Sequence, residues 1–421
     1  MKKNILVFPS ASNLAIEIYY SLSKNKNINL IGCSSVNNEI TKIFKNNIII
    51  KEFMNDNNFF DSLNKIIFDN KIDLIYPLSD EVNLYFSKNK EKIKADVLES
   101  SSLETNELLR SKLKTYEFLK DIINVPEVYK NFDEINEFPV FIKPQQGSSS
   151  KDCYLIKDKE ELEFYSKKIN LPIVMEYLPN QEFTVDCFTN YNKELIFIQP
   201  RIRINKSLGA SSYTKTVCNY PLYEMAKKLN SCLEFNGAWF FQAKLDCMGV
   251  AKLLEISPRI GASSGVNRIN DINLPLLNIH NHYKEKTEIS SNNLDIIGFR
   301  YLNYQFDFSF QNIKNIYIDF DDTLYLDNKI NSNLMKFLFD FKNQKSKVFL
   351  ISKHQGNLEE KLKELGIFYL FDAVFHLKKE QNKYDFMEEG SILIDDSFKE
   401  RNSVREKGFL AFPVEFFYSE I

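Results

Sequence analysis

A multidomain chain, α/β at both ends and α+β in between, is the fold class that this sequence predicts, and three observations carry it. Short β-branched runs alternate with amphipathic stretches from the start, a series of strands joined by polar turns begins near Phe138, and a second alternating series opens at "NIYIDF". Alternation builds βαβ units around a parallel sheet, whereas consecutive strands with polar turns build antiparallel meanders. At 421 residues the chain exceeds one ordinary domain of about 100 to 200 residues.

The elements follow in order. "NILVFP", Leu14 to Ser23, "INLIGCSS" and "IDLIYPLS" make a βαβ domain over 1–102. "LETNELLRSKLKTYEFLKD" carries apolar residues at helical spacing and predicts a helix pair. "FPVFIKP", "DCYLI", "PIVMEYL", "EFTVDCFTN" and "ELIFIQPRIRI" are the strands of a second domain over 103–300, and the polar stretch "YKEKTEISSNNLD" marks a linker. A third domain, 313–421, resumes the βαβ pattern.

With 44% hydrophobic residues, 26% charged residues and a net charge of −3, the composition is that of a soluble globular protein with no basic footprint, so nucleic acid is excluded as a partner. The six cysteines are scattered without a CxxC pair, which predicts reduced thiols. The apolar run before Pro9 is too short for a signal core of about 7 to 15 residues, and no stretch approaches the roughly 20 apolar residues of a membrane span. A cytoplasmic protein without a membrane partner is expected.

In "YIDFDDTLYLD" an apolar strand ends on Asp319, Asp321 and Asp322, the end of a parallel strand being where α/β sheets place ligands. Alone, the cluster also fits an Asp-rich turn. "KVFLISKH" is a second apolar run ending at Ser352, "SILIDDS" a third ending at Asp395 and Asp396, and Lys383 lies between them. This set, Asp-x-Asp-x-Thr, then Ser, Lys and Asp-Asp, resembles the haloacid dehalogenase superfamily over about 313 to 421. The resemblance implies a Rossmann-like fold in which Asp319 is the nucleophile, Asp321 the general acid and base, and Thr323 an orienting residue. Ser352 and Lys383 would hold phosphoryl oxygens, and Mg²⁺ would be bound by Asp319, Asp321, Asp395 and Asp396. The second aspartate favours phosphate-ester hydrolysis over carbon–halogen cleavage. About 28 residues separate Thr323 from Ser352 and about 30 separate Ser352 from Lys383, which leaves no room for a large cap.

"FPVFIKPQQGSSSKDCYLI" is a strand, a small-residue loop and a strand, with Lys143 near the first strand's end. Such loops let backbone N–H groups approach phosphate, although a hairpin with a chance lysine has the same appearance. "IVMEYLPNQEFTVD" sets Glu176 and Glu182 on either side of a turn, and "FQAKLDCMGVAKLLEISPR" is a hairpin with Gln242 on one strand and Glu255 on the next, able to aim two oxygens at one cation. Together with "ILVFPSASNLAIEI", "YPLSDE" and "SKLKTYEFL", these segments resemble the ATP-grasp superfamily, of the carbamoyl phosphate synthase large subunit type, over about 1 to 310. By that likeness the first 102 residues are its preceding βαβ domain. Lys112 and Lys143 would contact ATP, Glu176 to Leu178 the adenine and Glu182 the ribose, and the loop of Ser148, Ser149 and Ser150 would close over the phosphates. Gln242 and Glu255 would hold Mg²⁺, while Arg259, with Arg201 and Arg203, would face a phosphoryl group or a substrate carboxylate. Where the family reads Glu-x-Asn-Pro-Arg, this chain has Ser257 in place of Asn. A serine oxygen has shorter reach, so a second metal there stays open.

The two likenesses imply a carboxylate–amine ligase fused to a Mg²⁺-dependent phosphatase. ATP and Mg²⁺ would be its cofactors, and a small carboxylate and an amine its substrates. A phosphorylated amine or a sugar acid would connect the two chemistries, and an oligomer is compatible with them. The alternative keeps the ligase and makes the C-terminal domain a non-catalytic docking module.

Overall fold

The computed structural model describes residues 2–147, 151–207, 210–300, 304–307 and 313–415. The chain divides into one compact unit of residues 1–265, 273–289 and 297–300 and a second of 266–272, 290–296 and 301–421.

The first unit opens with a parallel sheet ordered Asn47–Ile49, Ile28–Ser34, Lys3–Phe8, Leu74–Pro77 and Asp96–Val97. Leu6, Ile31, Phe59, Ile75 and Phe86 fill its core. The strand order reverses between Lys3–Phe8 and Leu74–Pro77, and a parallel sheet receives ligands at the carboxyl ends flanking such a reversal. Asp80 lies there, opening the helix Asp80–Lys88, whose N-cap Ser79 accepts the Val82 N–H.

The expected helix pair forms as Leu103–Leu109 and Lys112–Leu119. It is followed by an antiparallel sheet ordered Val128–Tyr129, Pro172–Glu176, Val140–Pro144 and Tyr154–Ile156. A larger antiparallel sheet runs Ala251–Ser257, Gly237–Leu245, Glu182–Thr189, Leu195–Ser207, Ala210–Thr216 and Ile297–Arg300. The helix Tyr220–Cys232 lays Leu222, Met225, Ala226 and Leu229 on this sheet against Val185, Cys187, Trp239 and Phe241. The residues of Glu182–Thr189 are buried throughout, so the strand reads as continuous rather than alternating.

The second unit is a parallel sheet ordered Ala373–His376, Lys347–Ser352, Asn315–Ile318, Ser391–Ile394 and Leu410–Phe412. Register pairs Ile318 with both Leu350 and Ile394, which brings the ends of the three central strands to one level. A hairpin of Tyr325–Leu326 and Lys329–Ile330 follows the aspartate cluster. Its two-residue turn, Asp327 and Asn328, has positive φ at both positions, as a tight hairpin requires. The division departs from the boundaries expected at 300 and 313: residues 266–272 and 290–296 pack here because Val266, Ile269 and Ile296 enter the same core as Ile316, Leu334 and Leu350.

Candidate active sites

In the first unit, Lys143 stands near the end of Val140–Pro144 and is buried. Its Nζ donates to Tyr116 Oη (2.8 Å) and the Leu254 carbonyl (3.5 Å). Burial pulls the ammonium down from 10.5 to about 8, because the charged form loses hydration. Tyr116 Oη also donates to the Leu254 carbonyl, at 2.6 Å. Leu254 is the extra residue of a bulge: Gln242 pairs with Glu255 and Ala243 with Leu253. Gln242 and Glu255 therefore oppose one another directly. Lys112 heads its helix, donates to the Gly147 carbonyl at 3.1 Å and lies 3.8 Å from Glu255.

Lys112, Lys143, Gly147, Gln242, Leu254 and Glu255 line a cavity of about 360 Å³ with Glu176, Leu178 and Glu182, within the range of about 300 to 1,000 Å³ common for small-molecule sites. Glu176 accepts from Lys252 Nζ (2.5 Å) and the Glu127 N–H (2.7 Å). Glu182 accepts from Arg203 and Lys206, both at 2.6 Å. A second cavity of about 190 Å³ shares Gly147, Gln242 and Glu255 with the first, and its remaining wall includes Asp80, Arg201, Arg259 and Ser257. The amide and carboxylate of Gln242 and Glu255 thus stand where the two cavities meet, with lysines on one side and arginines on the other.

The arginines differ in availability. Arg201 is fully buried and engages Asp186 through Nε (2.6 Å) and Nη2 (3.0 Å), and Ser263 Oγ through Nη1 (2.8 Å). A Cβ at Gly261 would come within 3.2 Å of Asp186 Oδ1 and 3.3 Å of Arg201 Nη2, so the glycine lets the chain pass over this pair. Arg259 is partly exposed and donates to Asp80 Oδ2 at 3.0 Å, the oxygen that also accepts from Ser257 Oγ at 3.3 Å. Ser257 therefore has an acidic partner from the helix Asp80–Lys88. Asp80, which lines the smaller cavity, and Asp186, which holds Arg201, are not among the site residues that the sequence motifs assign, although both carry signals: Asp80 follows a parallel strand in "YPLSDE", and Asp186 interrupts a buried strand. Ser148, Ser149 and Ser150 lie outside the described residues.

In the second unit, Asp319 follows Asn315–Ile318 and its N–H donates to the Ile394 carbonyl at 2.9 Å. Lys383 Nζ donates at 2.6 Å to both Asp319 Oδ1 and Asp395 Oδ2, and all three residues are buried. Burial raises Asp319, and it raises Asp395 to about 6 against the pull of Lys383. Burial opposes the Lys383 charge, yet Asp395 and Asp319 outweigh it and the ammonium is raised. Ser352 ends Lys347–Ser352 and its side chain hydrogen-bonds Asp319. Thr323 is fully buried; its Oγ1 accepts the Asp396 N–H (3.0 Å) and lies 3.4 Å from Asp396 Oδ1. Among the described residues, Asp319, Asp395 and Asp396 bring ligand oxygens within 4.8 Å of one another, a spacing suited to a hard divalent cation. Asp321, expected among the ligands, is not in this group: its carboxylate oxygens lie 2.9 Å from His354 Nδ1. His376 Nε2 lies 2.9 Å from the His354 carbonyl oxygen.

The sheets and paired cavities of the first unit define an ATP-grasp-like fold. Residues 169–303 match the model of a family described as "ATP-grasp in the biosynthetic pathway with Ter operon". The D-alanine--D-alanine ligase of Fusobacterium nucleatum subsp. nucleatum is 36% identical over 86 residues, 20% of this chain and 30% of that protein. That of Thermotoga petrophila is 37% identical over 87 residues, 18% and 27% of the two. The chain thus spans less than a third of the length of these curated relatives. Among solved structures, N5-carboxyaminoimidazole synthetase from Staphylococcus aureus, complexed with ADP, aligns with a TM-score of 0.60 at 15% identity over 72% of this chain and 83% of that one. An L-amino acid ligase from Bacillus licheniformis gives 0.55 at 14% over 71% and 79%. Identities this low speak for the fold alone. No helix among the described residues is long and apolar enough to cross a membrane.

Proposed function

We propose that the protein is a bifunctional enzyme: an ATP-dependent carboxylate–amine ligase of the carbamoyl phosphate synthase large subunit type, joined to a haloacid dehalogenase-like phosphatase. ATP and Mg²⁺ are its cofactors. The observation that carries the ligase reading is the meeting of two cavities at Gln242 and Glu255, one floored by Lys112 and Lys143 and the other walled by Arg259. ATP occupies the larger, its phosphates drawn to the lysines, its adenine near Glu176 and Leu178 and its ribose near Glu182. The acid occupies the smaller, its carboxylate drawn to Arg259. A carboxylate oxygen attacks the γ-phosphorus, ADP leaves, and an amine displaces phosphate from the acyl phosphate to give an amide. Holding the reactants in line supplies most of the rate.

At the C-terminal site the reading rests on Asp319 beside Lys383, Ser352, Asp395 and Asp396. Asp319 attacks the phosphorus of a monoester, Asp321 gives a proton to the departing alkoxide, and Asp321 then takes a proton from the water that opens the aspartyl phosphate. Lys383 and Ser352 offer donors to the phosphoryl oxygens. Gln242 with Glu255, and Asp319 with Asp395 and Asp396, are the oxygen sets that would hold Mg²⁺, which when bound neutralises phosphate charge. The ester belongs to the ligase's own substrate or product, such as a phosphorylated amine, and linkage raises the effective concentration between the sites to about millimolar.

The test is ADP release with ATP, Mg²⁺ and a panel of carboxylates and amines, run beside p-nitrophenyl phosphate hydrolysis by wild type, Glu255→Ala and Asp319→Asn. Glu255→Ala should lose only ADP release, and Asp319→Asn only hydrolysis. Acid-dependent ADP release with no hydrolysis of any phosphorylated ligase substrate would leave a ligase carrying a C-terminal docking module.

A further inference from the structure

Residues 266–272 follow the arginine-bearing stretch Ser257 to Gly265 in the chain, yet they pack in the second unit. Val266 and Ile269 are buried in its core, and Asp271, with φ of +64°, turns a buried carboxylate toward two arginines of the helix Phe398–Arg405. Arg401 Nε and Nη2 donate to Asp271 Oδ2 and Oδ1 at 3.1 and 3.0 Å, and Arg405 Nη1 lies 2.6 Å from Oδ2. Both arginines are nearly as buried as the aspartate.

The two arginines lead to different places. Arg405 donates to Asn292 Oδ1 (2.8 Å) and the Ala411 carbonyl (2.7 Å), and so closes the packing of 290–296 on the sheet. Arg401 Nη1 donates instead to the carbonyl of Asp395, at 2.8 Å. That is the residue whose carboxylate meets Lys383, and its neighbour Asp396 completes the acidic group. A guanidinium is a rigid planar fork, so fixing two of its nitrogens on Asp271 aims the third.

We infer that Asp271 is a positioning residue for the C-terminal site. It locks Arg401, Arg401 locks the backbone at Asp395, and the carboxylates of Asp395 and Asp396 are thereby held at cation-binding distance from Asp319. A residue in the stretch read from sequence as ligase thus sets the geometry of the phosphatase site. The consequence for turnover rests on the phosphatase reading; the consequence for cation binding does not.

The experiment titrates full-length protein with Mn²⁺ alone, following free Mn²⁺ by electron paramagnetic resonance, and assigns the C-terminal site as the one lost in Asp396→Asn. Outer-shell groups at metal sites contribute about 10- to 100-fold in affinity. Asp271→Asn should weaken the Asp396-dependent site by about that factor and raise by the same factor the Mg²⁺ concentration giving half-maximal p-nitrophenyl phosphate hydrolysis. The maximal rate should change by less than about threefold. Asp271→Glu, which keeps the charge, should recover part of the affinity. Arg405→Gln removes the other arginine from Asp271 without touching Asp395, and should bind Mn²⁺ as wild type does. If Asp271→Asn does not fold, Arg401→Lys takes its place, keeping a charge opposite Asp271 while losing the fork, and the same weakening is expected. Unchanged Mn²⁺ affinity in the folded variant, equal weakening in Arg405→Gln, or no Asp396-dependent site in wild type would each overturn the inference. Normal Mn²⁺ behaviour without hydrolysis of p-nitrophenyl phosphate or of any phosphorylated ligase substrate would remove the phosphatase reading and leave this inference standing.

Discussion

Lys143 is placed at a cost to the resting protein, and replacing it by methionine measures that cost. Its ammonium is desolvated, with Tyr116 Oη and the Leu254 carbonyl as acceptors, and its pKa drops from 10.5 to about 8. A lysine whose folded pKa lies below its unfolded one binds fewer protons when folded across that window, so stability rises with pH from about 8 to about 10.5 and the penalty is fully present at neutral pH. One pH unit being worth about 1.4 kcal/mol, the penalty is about 3 kcal/mol. Lys143→Met removes it together with a hydrogen bond of about 1 kcal/mol, and Tyr116 Oη keeps its acceptor at Leu254. The variant should therefore be about 2 kcal/mol more stable than wild type at pH 7 in urea unfolding, and that advantage should vanish by pH 10.5. It should also lose ATP binding by calorimetry, since the lysine is held at a cost that phosphate would offset. A variant less stable than wild type at pH 7, or equally stable at every pH, would refute the reasoning.

Other outcomes follow from the same geometry. Arg201→Met withdraws the buried guanidinium that faces Asp186 and should cost about 3 to 5 kcal/mol in urea unfolding, most of it recovered when Asp186→Leu is added; no recovery would mean that the loss is not electrostatic. Asp321→Asn should lower p-nitrophenyl phosphate turnover by about 10²-fold or more while leaving the melting temperature and ADP release unchanged. His354→Ala, which removes the Nδ1 contact of the Asp321 carboxylate, should lower the turnover of ester hydrolysis while leaving ADP release unchanged, and unchanged turnover would show that this contact is idle. EDTA should abolish both activities and added Mg²⁺ restore them; hydrolysis surviving EDTA would reject the acidic group at Asp319, Asp395 and Asp396 as the cation site.

The alternation of strands and helices, the change to a meander after Phe138 and the polar residues at three strand ends were legible in the sequence, because periodicity and strand termini are local properties. Thus Asp319, Ser352 and Asp395 stand out in the sequence by their positions after apolar runs, and parallel register brings those strand ends to one level. Gln242 and Glu255 were legible as a hairpin pair. Their direct opposition needed the bulge at Leu254, which depends on long-range pairing. Which charge answers which was not legible at all. Asp80 meets Ser257 across 177 residues and Arg401 meets Asp271 across 130, and a buried ion pair is chosen by packing and register rather than by sequence proximity. For the same reason the second unit's borders escaped the sequence: Val266, Ile269 and Ile296 are ordinary apolar residues, and only the tertiary structure decides which core buries them.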